Sequence, residues 1–144
     1  MRKRRAAEAA TRIAERHSQL GDRLVELAET LLAELPYGSG AAQARVDLVR
    51  FVREQVLPEA MGEEAGARTA SGPVLDVLVR AMPGEGRLLS VVTDEIEADS
   101  TGVVSAAAAG ALVALCQARW HSEDRVLLPA MVSAGVDLLP LTAR

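Results

Sequence analysis

The stretch L-P-E-A-M-G-E-E, residues 57–64, follows V-D-L-V-R-F-V-R-E-Q-V, residues 46–56. Val49, Val52 and Val56 fall on one helical stripe, and at the same spacing that stripe runs on into Glu59 and Glu63. A core helix would carry leucines there, because a carboxylate is costly to bury without a partner. Two inward carboxylates therefore predict a polar layer inside the fold, and the other segments must supply what meets them.

Three of those segments repeat the pattern. Ile13, Leu20, Leu24, Leu27 and Leu31 recur at steps of three and four, with His17 in register between Ile13 and Leu20. Leu75, Leu78, Met82, Leu89, Val92 and Ile96 form a stripe whose gap is filled by Glu85 or Gly86. Ala108, Leu112 and Leu115 lead into Arg119 and Glu123, then Val126 and Ala130. Each stripe is apolar at both ends and polar in the middle, so His17, Glu59, Glu63, Arg119 and Glu123 are expected at one level, with Glu85 if it faces in.

The segments are separated by P-Y-G-S-G at 36–40, T-A-S-G-P at 69–73 and A-D-S-T-G at 98–102, all of them turn chemistry. Short loops between four helices of about 25 to 30 residues predict an all-α fold, an antiparallel up-down-up-down four-helix bundle. A short C-terminal segment, V-D-L-L-P-L at 136–141, closes one end. Pro58, Pro83 and Pro129 each remove an amide donor from a helical pattern. P-G-E-G at 83–86 is the most disruptive and predicts a third helix in two pieces.

The length of 144 residues suits a single domain, 1–144. Hydrophobic residues make up 49% and aromatics 2%, so the core is built from leucine, valine and alanine, which favours closely packed helices over sheets. A net charge of -4, with one basic cluster at Arg2, Lys3, Arg4 and Arg5, argues against a nucleic-acid partner. No apolar stretch is read as reaching the roughly 18 residues of a membrane span, and no apolar leader follows the basic start, so no membrane partner and a cytoplasmic location are expected. Cys116, in A-L-V-A-L-C-Q, has no second cysteine to pair with and reads as a small core residue.

Nearly the whole chain, from H-S-Q-L at His17 through L-P-E-A-M-G-E-E and A-M-P-G-E-G-R to H-S-E-D-R-V-L-L-P-A-M and G-V-D-L-L, resembles the hemerythrin-like, HHE cation-binding class. The resemblance implies a two-iron site held by five histidines and two carboxylates, with a histidine on helices one and three and an H-x-x-x-E pair on helices two and four. His17, Glu63 and Glu123 match that pattern. Glu59 and Arg119 replace two histidines, Gly86 stands at the helix-three position, and His121 lies two residues past its place, about 200 degrees around the helix from Arg119.

The departures direct the functional reading. Arg119 offers a permanent charge and five donors where a cation would sit, between Glu59, Glu63 and Glu123. Crowded carboxylates imply at least one raised pKa, as a general acid requires. Gly86 leaves space beside them. The favoured reading is a metal-free hemerythrin-like protein that binds or transforms a small organic molecule by acid-base chemistry, with no cofactor. Its candidate catalytic residues are Glu59, Glu63, Arg119, Glu123 and His17, and Glu85, Gly86 and Trp120 would contact the ligand. Alternatives are an iron or other divalent metal on His17, Glu59, Glu63 and Glu123, sensing oxygen, nitric oxide or redox state, and a structural bundle whose inner charges set register. Glu64, Asp124 and Arg125 are expected on solvated faces, and Trp120 is expected to pack on a neighbouring helix. The oligomeric state is left open.

Overall fold

Heptad-like spacing of small and branched apolar residues with few breakers produces long helices throughout. The computed structural model describes residues 2–99 and 101–143, with Gly40 described in its backbone only, and contains no strand among them. Five helices follow one another, four of them long. They are α1 (Arg2–Glu34), α2 (residues 42–67), α3 (Pro73–Ala98), α4 (Val103–Ser133) and α5 (Leu139–Thr142). Two short 3-10 turns, Leu35–Tyr37 and Ser39–Ala41, join α1 to α2.

Helix α1 packs against α2 and α4, while α3 packs against α2 and α4 from the other side. The apolar residues segregate into two clusters. Leu24, Leu31, Leu48, Val52, Leu89, Ile96, Leu112, Cys116 and Trp120 belong to one. Ile13, Ala67, Leu75, Met82, Leu127, Leu128, Met131 and Leu138 belong to the other. Leu141 of α5 is buried in the second cluster, so the C-terminal segment does seal an end. Cys116 is buried, and burial pushes its thiol up to about 12, which leaves it inert as a nucleophile.

The prolines behave differently from expectation. Helices α2 and α4 each contain one π turn, Val52–Val56 and Glu123–Leu127, where the amides of Leu57 and Leu128 reach carbonyls five residues back, at Val52 and Glu123. Pro58 and Pro129 come one residue later. The widened turn absorbs the missing donor, so both helices continue where these prolines favour a kink or a break. Helix α3 is likewise one helix with Pro83 inside it, not two pieces. Leu75 and Met82 before Pro83, and Leu89 and Ile96 after it, are all buried. At about 1.5–3 kcal/mol each, their burial outweighs the roughly 3 kcal/mol an internal proline costs.

The π turn in α4 also corrects its stripe. One extra residue rotates everything after Glu123, so Val126 is 42% exposed while Leu127, Leu128 and Met131 are buried. A further correction concerns the membrane. Val103–Ser133 is long and apolar enough to cross one by length and composition, although it carries buried charges at Arg119 and Glu123 and packs against α1 and α3.

The start of α4 is fixed by Asp99. Its carboxylate accepts the amides of Thr101 and Ser105, bonds that hold it well below the usual carboxylate range and satisfy a first-turn donor. Arg45 of α2 donates to the carbonyls of Ile96 and Asp99, tying the end of α3 to α2.

Candidate metal and proton site

Between the two apolar clusters lies the polar layer that the stripes foretold. His17 is 2% exposed, Glu63 1% and Glu123 4%, with Glu59 and Arg119 also buried. The Nε2 atom of His17 lies 2.5 Å from Glu63 Oε1, 3.9 Å from Glu59 Oε1 and 3.7 Å from Glu123 Oε2. Three carboxylates on two helices thus converge on one imidazole nitrogen.

The other nitrogen is anchored by a residue that sequence reasoning placed on a solvated face. His17 Nδ1 lies 2.6 Å from Asp124 Oδ1. A carboxylate can only accept, so Nδ1 carries the proton and Nε2 faces the glutamates. In a regular helix Asp124 would stand about 100 degrees away from Glu123. The π turn that begins at Glu123 lets both face inward, so Asp124 is only 30% exposed. The Leu-Pro pairs at Leu57–Pro58, just before Glu59, and at Leu128–Pro129, after Glu123, were the available signal, since a proline inside a long apolar pattern can mark a π bulge.

Arg16 was also missed. It immediately precedes His17 and lies off the apolar stripe, where periodicity does not mark it. Its Nη1 donates to Glu59 at 2.9 and 3.2 Å and to the carbonyl of Leu141 at 2.9 Å, linking α1, α2 and α5. Arg119 was expected among Glu59, Glu63 and Glu123 and in fact serves Glu123 alone of the three. Its Nε donates to Glu123 Oε1 at 2.6 Å, and its other nitrogens reach Glu85 at 3.4 Å and the Ala60 carbonyl at 3.5 Å. Two guanidiniums therefore divide the carboxylates between them.

The remaining oxygens are left over. Glu63 Oε2 and Glu123 Oε2 are buried with no hydrogen-bond partner. Burial raises both carboxyls above the ordinary range, and Glu123 is raised further by its contact with Glu63. The two share protons as a pair, with Glu123 the stronger holder. A proton also lies in the 2.5 Å contact of His17 with Glu63, because two bare acceptors would repel.

Of the ligand-contact candidates, Glu85 is half exposed at the rim, pairs with Arg119 and lines the small cavity that Glu123 also lines. Gly86 is half-buried, and a Cβ added there would meet nothing within 4 Å. It borders an open groove of about 290 Å³ that Leu57, Met61, Met82 and Arg119 also line. Trp120 is buried and stacks on His17 with ring centroids 5.9 Å apart, which makes it the wall of the imidazole. A cavity of about 20 Å³ lies beside Arg119 and Glu123. His121 is exposed, because the π turn begins after it.

His17, Glu59 and Glu63 present ligand atoms all within 4.8 Å of one another, a spacing that fits one metal ion. A two-iron centre does not fit. The chain has two histidines, of which His17 faces the layer and His121 is exposed, so one imidazole is all that the layer offers a pair of irons. No family model, no curated protein and no solved structure matches this chain.

Proposed function

We propose that the chain is a hemerythrin-like, antiparallel up-down-up-down four-helix bundle whose polar layer holds one divalent metal ion and serves redox or diatomic-gas sensing in the cytoplasm. The observation that carries this reading is the convergence of Glu59, Glu63 and Glu123 on His17 Nε2 while Asp124 holds Nδ1. A carboxylate behind a histidine fixes its tautomer and raises its basicity toward a metal, an arrangement typical of metal sites.

One imidazole with three carboxylates suits ferrous, manganous or zinc ions. Such an ion supplies Lewis acidity, and iron or manganese adds a one-electron redox change. Arg119 takes Glu123 Oε1 and leaves Oε2 turned to His17, and Arg16 orients Glu59 in the same manner. Glu63 and Glu123 hold the protons that an incoming cation displaces. The cavity of about 20 Å³ at Glu123 has room for a molecule about the size of water.

Titration with cobalt(II) tests the site through its ligand-field absorption. Saturation at one ion per chain, lost in Glu63→Gln and in His17→Ala, is the expected result. Absence of any such bands in the wild-type chain would overturn the reading.

A second reading, acid-base transformation of a small organic molecule without a cofactor, is favoured by the groove beside Gly86, which ends on Arg119. On that reading Glu59→Gln and Glu63→Gln abolish turnover of a bound ligand while the helices persist. Filling the groove with Gly86→Leu would block binding.

A further inference from the structure

Among the described residues, seven of the twelve exposed large hydrophobics lie on α3 and α4: Val74, Val77, Leu88, Val91, Val103, Val104 and Val126. On α3 they keep a register. Val74, Val77, Ala81, Gly84, Leu88, Val91 and Glu95 are all exposed and recur at steps of three, four, three, four, three and four. This is the seam spacing of a helix that packs against another helix, and the core stripe of α3, Leu75, Met82, Leu89 and Ile96, runs one position further on, about 100 degrees around the helix. Helix α4, packed beside α3, adds a surface of Val104, Ala107, Gly110, Ala111, Ala114 and Ala118, all exposed and small enough for close backbone approach. At the N-terminal end of α3 a groove brings Val74 beside Arg125 and Val126 of α4.

From this face we infer that the protein forms a two-fold symmetric homodimer through α3 and α4, with the α3 helices of the two copies antiparallel. Size and charge both point to a second copy as the occupant. Helix α3 has 26 residues, a length of about 39 Å at 1.5 Å per residue. Two adjacent helices present a face about 20 Å wide, hence roughly 800 Å², which is the contribution of one partner to a standard stable interface. The seam is apolar through its centre and ends on opposite charges. Arg125 stands at the Val74 end and Glu95 at the other. A two-fold axis near Gly84 sets Glu95 of each copy against Arg125 of the other, twice, whereas a parallel arrangement brings like charges together. A self-complementary patch of this kind closes a dimer and leaves no face for further growth.

This inference does not depend on the metal site. Sedimentation equilibrium at micromolar concentration tests it. The wild-type chain is expected at twice its 15.2 kDa mass. Val77→Glu and Leu88→Glu, at positions exposed in a single chain, should weaken dimerisation at least about a hundredfold by burying a charge, with helicity and melting of the monomer retained. Glu95→Arg should weaken it by about threefold to tenfold, and Glu95→Arg with Arg125→Glu should restore it. A wild-type monomer overturns the inference, including one that instead binds anionic vesicles through this face. So does a dimer that is indifferent to Val77→Glu and Leu88→Glu but dissociates with Met61→Glu on the opposite groove.

Discussion

Arg53 and Arg119 form ion pairs of the same length in opposite surroundings. Arg53, on the outer side of α2, donates to Asp94 at 2.9 Å and to Glu97 at 2.6 Å, with all three side chains 41–61% exposed. Arg119 donates to Glu123 at 2.6 Å with both side chains almost closed to water. Solvent screens the first cluster, and side-chain entropy offsets much of what remains. In the second, neither group can return to water unless the fold opens, so the Arg119 guanidinium depends on the Glu123 oxygen it holds. Distance alone does not rank these contacts; access of water does.

The contrast is broken most directly by Arg119→Ala. It strands the Glu123 carboxyl beside Glu63 and is expected to cost roughly 3 to 5 kcal/mol in urea unfolding. A loss below about 1 kcal/mol would place Arg119 in the same class as Arg53.

The pH dependence sharpens the comparison next. Burial raises the folded-state pKa of Glu63 to about 7 and of Glu123 to about 9, above the ordinary carboxylate value near 4.5. The folded chain therefore binds more protons than the unfolded one between those values. Stability of the metal-free protein should fall as pH rises from about 5 toward 9, by about 1.4 kcal/mol per unit for each extra proton the folded chain holds. Glu123→Gln should flatten that slope, as should saturation with a divalent ion. A stability that rises over the same range would mean both carboxyls are ionised and solvated.

Asp124, at 30% exposure, stands between the two surroundings. Asp124→Asn keeps the shape but weakens the hold on His17 Nδ1, and metal affinity should drop by about tenfold to a hundredfold with little change in unfolding. Unchanged affinity would leave Asp124 a surface charge that happens to touch the ring. The smallest effect belongs to Arg53→Ala, which should leave the urea midpoint unmoved at moderate salt.

How much of this was legible in the sequence differs between helices. Periodicity placed His17, Glu59, Glu63, Arg119 and Glu123 in one layer because each lies in register between apolar neighbours, and the two clusters on either side of that layer follow from the same spacing. The pattern failed wherever helical geometry departs from 3.6 residues per turn. After Glu123 the π turn shifts the register by one residue, which brings Asp124 inward and turns Val126 out. Arg16 and Leu141 were illegible for another reason. Their contact spans 125 positions and joins an off-stripe side chain to a backbone carbonyl, which no local spacing encodes. Glu85 filled the gap in its stripe on paper, but on α3 it falls toward the rim, where solvent and Arg119 share it.

The most direct test of the central claim is calorimetric titration of the metal-free chain with manganese(II) and zinc(II) near pH 7, repeated in buffers of different ionisation enthalpy. The expected result is one ion bound per chain, with release of protons from Glu63 and Glu123 that disappears in the Glu63→Gln, Glu123→Gln double variant. Heats that show no binding, or binding without proton release that survives in the double variant, would contradict a metal ion in the polar layer.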